Sequence, residues 1–117
     1  MKHGQIFREN DQKLILEEVM LTTSPLERMR GLLGRPGLAE NQGLLIKPCS
    51  SVHTFGMGYP IDLIFIDRDW CIRKLVSHLG SCRMAWCRNA HMVLETCAHN
   101  IARWDLETGN VLRWEEN

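Results

Sequence analysis

Ile61-Asp62-Leu63-Ile64-Phe65-Ile66 sets apolar side chains at successive positions with one carboxylate among them. Neighbouring residues of a β-strand point to opposite faces, so a run without polar alternation has to be covered on both sides. It reads as the central strand of a sheet that the rest of the chain must wrap. The 117 residues suffice for one domain, 1–117, burying roughly two-thirds of the surface exposed in the unfolded chain.

The flanking segments supply that sheet. Lys13 to Thr22 is strand material interrupted by Glu17-Glu18, which marks an exposed stretch or a bulge. Gly43 to Lys47 and Val52 to Met57 read as short extended stretches, and Asp67-Arg68-Asp69 turns the chain back into a strand from Trp70 to Ser77. His91 to Thr96 and Val111 to Trp114 are further strands, and residues 78–89 read as loop. Ser24-Pro25-Leu26-Glu27 is a helix start: the serine caps free N–H groups, proline fits the first turn, and glutamate can complete a capping box. Leu26, Met29, Arg30 and Leu33 continue at helical spacing until Gly34 and Pro36-Gly37. The expectation is an α+β, mainly β domain: a small curled sheet or β-barrel, one main N-terminal helix over about 24–34, and a short helix near 98–104. Residues 1–12 are polar and mixed and are expected to form a loose arm.

Fourteen Lys and Arg balance fourteen Asp and Glu. A nucleic-acid binder usually carries a basic surplus, so no nucleic-acid partner is expected. No segment approaches the roughly 20 apolar residues of a membrane helix, so no membrane partner is expected either. The start Met1-Lys2-His3-Gly4-Gln5 lacks the apolar run of a secretory signal, and the five cysteines are an odd number. A cytoplasmic protein with reduced thiols and no cofactor is the expectation.

Five blocks together resemble a known family. They are Glu27-Arg28-Met29-Arg30-Gly31-Leu32-Leu33-Gly34-Arg35, Gly43-Leu44-Leu45-Ile46, His53-Thr54-Phe55-Gly56-Met57, Pro60 to Asp67, and Ala90-His91-Met92-Val93-Leu94-Glu95. In this order they resemble domain-of-unknown-function family 192, over roughly residues 14 to 114. The resemblance implies a bacterial or archaeal domain with a compact β-barrel-like fold and one helix, and it implies no reaction. Thr96-Cys97-Ala98-His99 departs from the Pro- and Gly-containing stretch usual after the last long block.

Several side chains carry chemistry. Arg28, Arg30 and Arg35 can clamp a carboxylate or phosphate through the guanidinium fork, or can pair with Asp62, Glu95 or sheet carbonyls. Asp62 is the expected partner of Arg30, which sits among apolar residues. His53 and Asp62 near one pocket would suit acid–base work, beside a Gly-rich bend holding Phe55 and Met57. Cys49/His53, Cys87/His91 and Cys97/His99 have spacings open to a zinc site, though no Cys-x-x-Cys is present. Cys49 and Cys82 are in loops and would react if a nearby arginine lowered their pKa. Trp86 between Arg83 and Arg88 reads as a contact surface or as a cap on the barrel end. The function expected from these residues is a small binding or accessory domain, with Arg28, Arg30, Arg35, His53, Phe55, Met57 and Asp62 around a pocket for a small anionic or polar ligand or a protein partner segment. The alternatives are a hydrolase- or transferase-like enzyme using His53 and Asp62, and a Cys/His metal-binding domain.

Overall fold

The computed structural model describes residues 1–117. In chain order it contains β1 (Lys2–Arg8), β2 (Lys13–Leu21), α1 (Pro25–Arg30), β3 (Gln42–Ile46), β4 (Ser51–His53), β5 (Ile61–Ile66), β6 (Ile72–Leu79), β7 (Met84–Trp86), β8 (Met92–Cys97), α2 (Asn100–Arg103) and β9 (Leu112–Glu116). Seven strands form one sheet in the order β6-β5-β8-β3-β2-β1-β9, while β4 and β7 make a separate two-stranded ribbon. The β2–β3 pair is parallel, and the crossover that such a pairing needs carries α1.

All six residues of β5 are buried, as its unbroken apolar run demands. Strict alternation divides the core in two. Leu45, Ile64, Ile66 and Leu94 point to one face, where Ile6, Leu16, Ile101 and Leu112 complete a cluster. Leu44, Ile46, Leu63, Phe65 and Val93 point to the other, where Leu32, Met57, Val52 and Ala85 cover them. The second face therefore lies beneath α1, the bend after β4, and the β4–β7 ribbon. No helix is long and apolar enough to cross a membrane.

Several expectations change. The sheet is open, not a closed barrel: the edge strands β6 and β9 approach one another at a single isolated bridge, Cys71 with Val111. There is no main N-terminal helix over 24–34. Ser24 does cap α1, its hydroxyl accepting from the Glu27 N–H at 3.2 Å, but the helix stops at Arg30 because Gly31 takes a positive φ of 51°. None of its six residues is buried, so no packed face extends it. The expected loose arm is β1, paired on both sides by β2 and β9. The expected loop 78–89 contains β7, and Val52 to Met57 is extended only as far as His53. Glu17-Glu18 does mark a bulge, for the β1–β2 register slips between the Gly4–Val19 and Ile6–Leu16 pairs.

Candidate ligand-binding site

Glu95 lies on β8, one residue beyond Leu94 and so on the face shared with Val93. It is 2% exposed, and its Oε1 is a buried side-chain polar atom without a hydrogen-bond partner. Burial holds its carboxyl up at about pH 7, against an ordinary 4.5. Above it is a slot of about 70 Å³ between α1, Gly31, Cys49 and the β4 end. That is space for a few waters or a small end group. The Gly31 backbone passes close to this carboxylate: a Cβ there would stand 3.4 Å from Glu95 Oε1, in ordinary contact.

Five of the seven expected site residues line this slot: Arg28, Arg30, His53, Phe55 and Met57. Arg28 is half-buried, and both it and Glu95 act electrostatically on the Cys49 thiol. His53 stacks on Phe55 with ring centres 5.2 Å apart. Thr54 fixes this bend from beneath: its hydroxyl donates to the Gly80 carbonyl at 2.6 Å and accepts from the Arg83 N–H at 2.9 Å. Met57 is buried in the second core cluster and forms wall more than contact surface.

The other two fall elsewhere. Arg35 donates from Nε to the Gly31 carbonyl at 3.1 Å and lines a wider recess of about 330 Å³ between residues of β1 and β2 and residues 35–38. Asp62 is on the opposite face of the sheet, where it accepts the backbone N–H of His78 at 2.8 Å and of Ile101 at 2.9 Å. The expected Arg30–Asp62 pair does not form; Arg30 is exposed and its Nε donates to the Leu33 carbonyl. The His53–Asp62 acid–base pair is likewise not assembled, since the sheet separates them.

No three His, Cys, Asp or Glu side chains gather where they could hold a metal ion, and the cysteines are all free. Burial pushes the Cys49 thiol up, which disfavours the reactive thiolate. Trp86 is 64% exposed and caps nothing. Glu95 entered the sequence reading only as a partner for arginine. A carboxylate directly following the apolar run Met92-Val93-Leu94 is the signal the sequence holds, weaker than that of Asp62 inside its own apolar run.

The family model for domain-of-unknown-function family 192 (DUF192, "Uncharacterized ACR") matches residues 6–114. The chain belongs to this family. No curated protein matches the family-192 chain. Two crystal structures share its fold. One is a proposed transcription regulator from Sinorhizobium meliloti 1021, 21% identical over 97% of this chain and 92% of that one, with a TM-score of 0.82. The other is a protein of unknown function from Novosphingobium aromaticivorans DSM 12444, 18% identical over 96% and 84% of the two chains, with a TM-score of 0.78. At such identities the likeness carries the family-192 fold and nothing of activity.

Proposed function

We propose that this family-192 chain is a small binding domain whose slot receives an end group that donates hydrogen bonds to Glu95, while Arg28 holds an anionic group of the same ligand. The observation that carries this is the unpartnered Oε1, buried at the floor of an open slot. A buried carboxylate left unpaired costs stability that a purely structural residue would have no reason to impose. Small molecules bearing an ammonium or hydroxyl beside a carboxylate or phosphate have the matching pattern. The wider recess at Arg35 is the weaker candidate, because it holds no unpartnered buried polar atom.

The test is calorimetric titration and thermal shift with a panel of amino acids, amino alcohols and their phosphate esters. A ligand with an ammonium requires ionised Glu95, so its affinity should rise as the pH is taken upward through about 7, where that carboxyl titrates. Glu95→Gln should abolish ammonium binding, and Arg28→Ala should weaken every anionic member by about tenfold. A panel without hits, or hits indifferent to both substitutions, overturns the reading.

A further inference from the structure

α1 is anomalous for a helix with apolar residues at helical spacing. Leu26 is 78% exposed and Met29 77%, where such residues ordinarily face a core. They do not stand alone. Met29, Leu33 and Phe55 share the slot rim, and a Cβ at Gly56 would lie 3.0 Å from Leu33 Cδ1. In the ribbon, Met84 is registered opposite His53 and Trp86 opposite Ser51. Val52 and Ala85 between them point into the core, so Met84 and Trp86 face outward. Leu26, Met29, Leu33, Phe55, Met84 and Trp86 thus form one exposed apolar belt, more than scattered single residues.

The belt lies in surroundings richer in basic than in acidic side chains, Glu27 of α1 being the carboxylate nearest to it in sequence. Residues 28–39, 41–61 and 70–94 together contain eight Lys and Arg and no Asp or Glu. Those stretches build the slot rim, the ribbon and its surroundings. Arg28, Arg30, Arg83 and Arg88 make no salt bridge, whereas Glu27 of α1 is taken up by the Met1 amino group and Arg73 by Asp67; the other ion pairs join Lys2 to Glu116, Arg8 to Asp11, Arg103 to Glu40, and Arg113 to Glu9 and Glu115. Lys74 places its ammonium 5.7 Å from the Trp86 ring and donates to the Trp86 carbonyl at 2.8 Å.

We infer that this face docks on an anionic lipid surface. Apolar side chains standing clear of a short helix, an exposed tryptophan, and arginines without carboxylate partners are the combination that seats a protein at a headgroup layer. Charge complementarity selects an anionic surface. The most protruding side chains are aliphatic, and these gain from entering lipid but offer little stacking to nucleic-acid bases. The inference goes beyond the proposed slot function and does not rest on it, for the belt requires no occupant on Glu95.

Sedimentation of the full chain with vesicles tests it, using phosphatidylcholine alone and phosphatidylcholine mixed with phosphatidylglycerol. Binding is expected to the mixed vesicles only, with loss at high salt and a blue shift of tryptophan emission that Trp86→Phe removes. The double variant Leu26→Asp/Met29→Asp should weaken binding by about tenfold or more, since two apolar anchors are lost. These residues are exposed, so melting temperature should hold and confirms that the variant is folded. Arg83→Glu/Arg88→Glu should weaken it comparably, whereas Lys13→Glu/Arg103→Glu, with the same change of formal charge elsewhere, should not. No sedimentation with mixed vesicles, equal binding to neutral ones, or retention of a single-stranded oligonucleotide or an acidic peptide in place of vesicles overturns the inference.

Discussion

Glu95 and Asp62 are carboxylates buried in neighbouring strands, and their surroundings give them opposite roles. Asp62 is satisfied by two backbone N–H groups and ties β5 to His78 and to the start of α2. Glu95 Oε1 is given no such donor, and desolvation raises its carboxyl to about 7 from 4.5. Between those two values the unfolded chain has released this proton and the folded chain has kept it. Folding stability must therefore fall as pH rises across that window and level off above it. The drop attributable to this group is on the order of 3 kcal/mol. Glu95→Gln removes it. Urea unfolding of both proteins from about pH 4.5 to about pH 8 should give curves that diverge through the window, the variant gaining relative stability toward high pH. Parallel curves would mean that Glu95 is solvated or paired in solution.

At the scale of elements, local chemistry was readable and non-local cover was not. The start of α1 could be read from four residues because a cap is made by its neighbours: Ser24 accepts from Glu27, and Glu27 accepts in return from the Thr23 N–H at 2.7 Å. Its end depends on the backbone angle of Gly31 and on the absence of anything packed over it, neither of which the 3.6-residue spacing contains. The barrel expectation failed for a similar reason, since closure is decided by whether two edges far apart in sequence meet along their length. The slot was half legible. Arg28, His53 and Phe55 stand out by residue type, whereas Glu95 becomes a site residue only once β8 shows which face it shares. Residues 1–12 were misjudged because β1 gains its burial from β2 and β9. Gly4 measures that dependence: a Cβ there would fall 2.4 Å from the Glu115 carbonyl oxygen and 2.6 Å from the Trp114 ring. Backbone cannot yield to it, so Gly4→Ala should destabilise the fold by about 2 kcal/mol in urea unfolding. A loose arm would make the same substitution silent.

For the whole molecule, zero net charge conceals a strong division. Ion pairs such as Arg8 with Asp11 and Arg113 with Glu9 and Glu115 belong to β1, β9 and the β1–β2 turn, at the end of the strand order where β1 and β9 pair, while β4 and β7 form a separate ribbon. The face holding α1 and β7 keeps arginines without carboxylate partners. A field of this kind depends on where charges sit, not on their sum, and it falls off over about a Debye length of 10 Å at 0.1 M salt. An adsorbing surface therefore responds to the nearest face. The protein should be retained on a sulfonate cation exchanger at about neutral pH, although its isoelectric point is about 6.9. Reversing charge at Arg83 and Arg88 should abolish retention, because that pair belongs to the face presented to the resin. Making the same formal change at Lys13 and Arg103 should shift elution only slightly. If both double variants elute together, retention follows total charge, and the uneven placement of these arginines has no consequence beyond the molecule's own surface.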